Sequence, residues 1–116
     1  MPETETELLR QQVRRLCHEI PRGRVISYGA LGARCHPPIS GYVCGRVMGQ
    51  LMDDVPWWRV VGKAGTLPIS KRGPDKARQQ RALLEEEGVT FENDAIKREF
   101  FEDEPENEAP AQGASF

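Results

Sequence analysis

Two adjacent prolines, Pro37 and Pro38, interrupt the middle of the chain, and no other feature constrains its fold as tightly. Proline has no amide donor for a helix and restricts the residue before it, so Cys35-His36-Pro37-Pro38-Ile39 reads as a connector. Before it, Ser27 is a candidate N-cap for a helix from Tyr28 to about Arg34. After it, Ser40 or Gly41 opens a second helix to about Met52, with Val43, Val47 and Leu51, and Cys44 and Met48, as candidate core-facing positions. Two short helices on a tight connector, the second beginning with small residues, predict a helix-turn-helix; a plain helical hairpin is the alternative.

The flanking segments are punctuated as clearly. Leu9, Val13, Leu16 and Ile20 recur at helical spacing and predict an amphipathic helix from about Thr4 to Glu19, closed by Pro21 and Gly23. Val25-Ile26 is a short extended entry to the helix pair. Val55 to Val61 is short, apolar and aromatic, and Gly62-Lys63-Ala64-Gly65 after it is a turn. Ile69-Ser70-Lys71-Arg72-Gly73 reads as a basic loop. Pro74 suits the first position of a helix that Gly88 caps, and Val89-Thr90-Phe91 leaves it in extended form. With 116 residues the chain is one domain, expected over 4–101. Residues 102–116 have almost nothing to bury and are expected to be a disordered acidic tail.

The net charge of −2 conceals an uneven distribution. Leu8 to Arg81 carries 14 basic residues against Glu19, Asp53, Asp54 and Asp75, a balance of +10. A basic body between acidic ends suits a polyanion such as nucleic acid, although a solvated arginine-rich surface has the same composition. No stretch approaches the roughly 18 apolar residues of a membrane span. The start MPETETE is no signal peptide, and the cysteines number three, which is odd for a disulfide scaffold. A cytoplasmic protein, nucleoid-associated if bacterial, with no membrane partner is expected.

Trp57-Trp58-Arg59 is the most unusual tripeptide. An indole offers a wide stacking face and one N–H donor, which suits a pocket for a flat base; packing one Trp in the core and the other under a loop is the ordinary alternative. Cys17-His18, Cys35-His36 and Cys44 are metal-ligand types, but the close cysteine pair of a structural zinc site is missing, so no metal or other cofactor is expected. Phosphate loop, nucleophile elbow and zinc-hydrolase motifs are missing too, and no catalytic residue is assigned.

Four segments in series carry a family resemblance. Ile20-Pro21-Arg22-Gly23-Arg24-Val25-Ile26-Ser27-Tyr28-Gly29 resembles the entry to the helix-turn-helix of O6-alkylguanine-DNA alkyltransferases. Arg46-Val47-Met48-Gly49-Gln50-Leu51-Met52 is similar to their recognition helix, and Pro56-Trp57-Trp58-Arg59-Val60-Val61 falls at their active-site Pro-Cys-His-Arg-Val. Leu83-Leu84-Glu85-Glu86-Glu87-Gly88 is similar to their last helix. A second register of the recognition helix sets Tyr42 near the position of Arg46; the alignment of Met48-Gly49-Gln50 favours Arg46. The resemblance runs from about Leu9 to Phe91 and implies a small α/β, mostly α, domain like the C-terminal domain of those enzymes. Their alkyl-accepting cysteine is Trp57 here and their histidine is Trp58, so thiolate chemistry is lost. That exchange is the mark of the alkyltransferase-like proteins, which bind alkylated guanine without repairing it.

What the resemblance implies is a non-enzymatic sensor. It binds duplex DNA in the minor groove, flips O6-alkylguanine into a pocket, bends the DNA and directs the lesion to nucleotide excision repair proteins. The lesion pocket is expected at Tyr28, Trp57 and Arg72, and DNA binding at Tyr28, Arg46, Gly49, Gln50 and Lys71. Arg46 is the implied finger in the gap left by the flipped base, Tyr28 presses on the neighbouring phosphate, and Arg72 senses the alkylated face. Arg59 is expected as an ion-pair or hydrogen-bond donor behind the pocket, and Glu87 as structural. Poor pairing of the alkylated base reduces the cost of flipping. A monomer is expected. Two rivals differ in class: an alkyltransferase using Cys44 or Cys35, and a helix-turn-helix regulator indifferent to alkylation.

Overall fold

The computed structural model describes residues 2–67 and 69–102, and the side chains of 5–67 and 73–102. Helix α1 spans Pro2–His18, β1 Ile26–Ser27, α2 Tyr28–Ala33, α3 Gly41–Leu51, β2 Val60–Val61, α4 Ile69–Glu86, β3 Phe91–Glu92 and β4 Ala95–Ile96. Single 3-10 turns occupy Met52–Asp54, Trp57–Arg59 and Arg98–Phe100. No helix among the described residues is long and apolar enough to cross a membrane.

Both expected serine caps are made. Ser27 Oγ accepts from the Ala30 amide and Ser40 Oγ from the Val43 amide, each at 3.1 Å, which fixes the start of each helix of the pair. The connector folds tightly because Gly32 has no side chain. A Cβ there would stand 2.4 Å from the Ile39 carbonyl oxygen, while the Ile39 amide donates to the Gly32 carbonyl at 3.0 Å. At the other end, a Cβ on Gly41 would lie 3.1 Å from the Gly29 amide nitrogen, so α3 begins against the first turn of α2. Cys44, Val47, Met48 and Leu51 form the buried stripe of α3. Val43, expected in the core, lies past the edge of that arc and is exposed.

The elements that sequence periodicity cannot reveal are the short strands. β1 pairs in parallel with β2, setting Ile26 opposite Val60 and Ser27 opposite Val61. This brings the start of α2 beside the Trp57–Arg59 turn. β3 and β4 form a hairpin across Asn93 and Asp94, both at positive φ, as a two-residue type I′ connection requires. Gly65, also at positive φ, closes the turn after β2, and its carbonyl accepts from the Ile96 amide.

Two parts of α4 differ from expectation. Ile69–Arg72, read as a basic loop, is helical, and Gly73 at φ 85° breaks the helix before Pro74 restarts it. Proline suits that first position, where its missing amide costs nothing. At the C-terminal end Gly88 takes φ 95°, its amide donates to the Glu85 carbonyl, and the Val89 amide donates to the Leu84 carbonyl. That is a Schellman end with Leu84 and Val89 buried together.

One core joins α1, α2, α3 and Trp57; the other gathers Val25, Val61, Leu84, Val89, Ile96 and Phe101, and Trp58 packs against both. The described fold also takes in Glu102. Its amide donates to the Val25 carbonyl at 2.7 Å and its carboxylate accepts from Arg24 Nε at 2.8 Å. The expected tail from 103 to 116 lies outside the described residues.

Candidate nucleic-acid interface

The Pro56 backbone turns the chain into Trp57–Arg59, where a single 3-10 turn sends successive side chains in different directions. Trp57 is 7% exposed and its ring meets that of Trp58 edge-on, at 6.1 Å between centroids and 85° between planes. Around Trp57 lies a cleft of about 580 Å³, within the usual range for small-molecule sites. Met52, Asp53 and Asp54 form one wall, Lys76 and Gln79 of α4 another, and His18 stands at the rim. The Lys76 ammonium sits 5.0 Å from the Trp57 ring centroid, a cation–π distance.

The wall at Asp53–Asp54 is short but held. Asp54 accepts from Arg14 at 3.4 Å, and His18 Nε2 lies 3.0 Å from the Asp54 carbonyl, a bond that needs the proton on Nε2. Behind the tryptophans, Glu87 is a hub with only 4% of its side chain exposed. Its carboxylate accepts from Trp58 Nε1 at 2.8 Å, from Arg59 at 2.8 to 3.2 Å and from the Gly23 amide at 2.8 Å. Burial pushes its pKa up, but the bonds from Arg59, Gly23 and Trp58 outweigh this and hold it below the ordinary 4.5. Arg59 also donates to the Ile20 carbonyl at 2.9 Å, so it serves as the ion-pair donor expected of it. Gln80, 1% exposed, gives its side-chain amide to the Trp58 and Val60 carbonyls, at 3.1 Å each.

The second surface is the outer face of α3. Tyr42, Arg46, Gly49 and Gln50 recur at helical spacing and are all exposed. A Cβ on Gly49 would meet nothing within 4 Å, so the helix presents bare backbone to any approaching partner there. Arg10 of α1 joins this face by donating to Gln50 Oε1 at 2.9 Å. Tyr28 opens α2, is half-buried and packs against the first core, and its carbonyl carbon lies 3.5 Å from where a Cβ on Gly41 would stand.

The cysteines lie elsewhere. Cys17, Cys35 and Cys44 are fully buried in the first core, and none lines the cleft. Burial pushes the thiols of Cys17 and Cys44 up to about 12, and also raises that of Cys35, so none is a thiolate near neutral pH. This removes the ground for Cys44 or Cys35 as an alkyl acceptor. Among the described residues no group of three or more His, Cys, Asp or Glu could hold a metal ion.

The family described as 6-O-methylguanine DNA methyltransferase, DNA binding domain, matches residues 8–89. The chain belongs to this family. A DNA base-flipping protein of Escherichia coli (strain K12) is 38% identical over 78 residues, which are 66% of this chain and 59% of that protein. The chain therefore spans less than two thirds of that relative. A DNA base-flipping protein of Vibrio parahaemolyticus is 30% identical over 67% of this chain and 77% of its own. Alkyltransferase-like protein 1 of Schizosaccharomyces pombe is 40% identical over 61% and 67% respectively. The crystal structure of S. pombe Atl1 in complex with damaged DNA containing O6-carboxymethylguanine superposes with a TM-score of 0.71 and 26% identity, covering 84% of this chain and 97% of that one.

Within the family frame, the expected residues divide into three groups. Trp57 lines the cleft, and Arg46, Gly49 and Gln50 share the α3 face; Tyr28 packs against the first core and is not among the cleft-lining residues. The side chains of Lys71 and Arg72 lie outside the described residues. Lys76, Gln80 and Arg10 were not expected. Lys76 and Gln80 carry no motif, and only the packing of α4 over the tryptophan turn brings them to it.

Proposed function

We propose that this protein is a non-catalytic sensor of alkylated DNA. It binds duplex DNA through the α3 face in the minor groove, takes O6-alkylguanine out of the stack into the Trp57 cleft, and hands the marked site to nucleotide excision repair proteins. It acts as a monomer in the cytoplasm, or on the nucleoid in a bacterium. The observation that supports this reading most is the cleft itself: among its lining residues is the nearly buried indole of Trp57 and no cysteine, where alkyl transfer would need a thiolate. The names of the relatives point the same way, since two are base-flipping proteins and the yeast protein was crystallised on damaged DNA.

In this mechanism Tyr28 bears on the phosphate beside the flipped nucleotide. Trp57 lines the pocket that receives the extruded base, Arg46 fills the gap it leaves, Lys71 pairs with a phosphate, and Arg72 reads the alkylated edge. Lys76 caps the Trp57 ring, and the Glu87 hub keeps both indoles in place without any proton relay. Part of the preference for the lesion comes from its weak base pair, which reduces the few kcal/mol that flipping costs.

Titration against matched duplexes carrying O6-methylguanine or guanine, followed by weighing the recovered protein, tests the reading. Tighter binding to the lesion with unchanged protein mass is expected. A methyl-sized gain would replace it with an alkyltransferase, and equal affinities would leave a DNA-binding scaffold without a lesion pocket.

A further inference from the structure

Among the described large apolar side chains, Tyr42 is the most exposed, at 63%, ahead of Leu8 at 54% and Val43 at 37%. It is the second residue of α3, one position after the Ser40-capped start. In helix-turn-helix proteins docked in the major groove the N-terminal residues of the recognition helix reach the bases, and the first turn of α3 is given the same part here in the minor groove. That turn is also the part of α3 nearest Tyr28. A Cβ at Gly41 would stand 3.1 Å from the Gly29 amide nitrogen and 3.5 Å from the Tyr28 carbonyl carbon. Arg46 lies four residues further along, about 6 Å of helix rise away from that junction. Its guanidinium carbon stands 6.0 Å from the centroid of the Tyr42 ring.

We propose that Tyr42, backed by the Arg46 guanidinium, is the wedge that enters the base stack when a nucleotide is extruded. This rests on the lesion-sensor reading above, and it moves to Tyr42 the gap-filling role that the family resemblance implies for Arg46. The chemistry favours the ring. The face of the phenol that Arg46 leaves open stacks on a base pair beside the gap, and the side chain orders only two torsions in doing so. Its hydroxyl, at the tip, can donate to or accept from the edge of the orphaned partner base. A guanidinium over the ring stiffens it by a cation–π contact and carries positive charge to the flanking phosphates. Arg46 thereby becomes a positioning and phosphate residue, which needs no intercalation.

The test uses the full chain and its Tyr42→Ala, Tyr42→Phe and Arg46→Ala variants. Affinity is measured for duplexes with O6-methylguanine or guanine over a salt series, and 2-aminopurine beside the lesion reports unstacking. Tyr42 and Arg46 are both exposed, so unchanged thermal unfolding midpoints are the folding control. Tyr42→Ala is expected to lose about tenfold or more on the lesion duplex together with the 2-aminopurine signal, and Tyr42→Phe to stay within about twofold of the parent. Arg46→Ala is expected to weaken both duplexes alike and make the salt slope shallower by about one, with the signal retained. The proposal is overturned if Tyr42→Ala binds the lesion as the parent does while Arg46→Ala loses the preference, or if Tyr42→Phe fails as badly as Tyr42→Ala. A parent protein that does not prefer the lesion overturns the sensor reading itself, and the role of Tyr42 with it.

Discussion

Glu87 shows how one buried carboxylate can hold together segments that are distant in the chain. Its carboxylate collects the Trp58 indole N–H, the Arg59 guanidinium and the Gly23 amide, so it ties the tryptophan turn to the chain entering β1. Glu87→Gln leaves Arg59, 14% exposed, without its counter-charge and should cost about 3 kcal/mol in unfolding free energy. The pH dependence has a definite sign. A carboxyl group held below its ordinary 4.5 contributes stability that is present in full above that value and lost as pH falls through the folded value. The stability gap between parent and Glu87→Gln should therefore narrow as pH falls below 4.5 and through the lowered folded value. A gap that stays constant into that range would mean the charge contributes nothing. The PWWR segment was readable as chemistry because its residues are contiguous and an indole cannot act as a thiolate. The receiving side of its hydrogen bonds was not readable, because Glu87 reaches it only through the packing of α4.

At the scale of elements, the helix pair and its presentation depend on two contacts. Gly32 lies so close to the Ile39 carbonyl that Gly32→Ala must open the connector, since both partners are backbone. A loss of about 1–3 kcal/mol is expected, with DNA affinity falling alongside because α3 tilts away from α2. A variant with parent-like stability and affinity would mean the connector yields without moving α3. Gln80 holds α4 against the tryptophan turn through the Trp58 and Val60 carbonyls. Gln80→Leu keeps the volume but strands two carbonyls, for a cost of about 2–4 kcal/mol, and chemical denaturation measures it directly. The caps at Ser27, Ser40 and Gly88 were legible because each acts within a few residues of its own chain. Val43 was misplaced because a hydrophobic stripe shows its centre more sharply than its edge. The hairpin at Asn93–Asp94 escaped notice because strands of two residues show no alternation.

At the scale of the molecule, the net charge of −2 conceals a carboxylate-free stretch suited to the proposed contact with DNA. From Ile20 to Met52 there is no carboxylate, and this stretch builds both helices of the pair. If Arg10, Arg46 and Lys71 each neutralise one phosphate, affinity for undamaged duplex should fall about 40-fold between 50 and 200 mM salt. A salt-independent affinity would exclude the α3 face as the interface. The lesion-specific part of binding, which comes from stacking and from the saved cost of flipping, should change far less over the same range.

The chain by itself determined what local chemistry can determine. Adjacent prolines force a break, serines and glycines end helices, an apolar stripe makes one face bury, and the contiguous Trp57-Trp58-Arg59 sets two indoles beside a cation. Only the tertiary structure decided which distant pieces meet. The parallel pairing of Ile26–Ser27 with Val60–Val61 carries the tryptophan turn to the start of α2, and α4 crosses it with Lys76, Gln80 and Glu87. The physical reason is range. A cap or a breaker acts through the hydrogen bonds of its own few residues, whereas a two-residue strand or a buried amide gains its energy only after distant segments are brought together and dried.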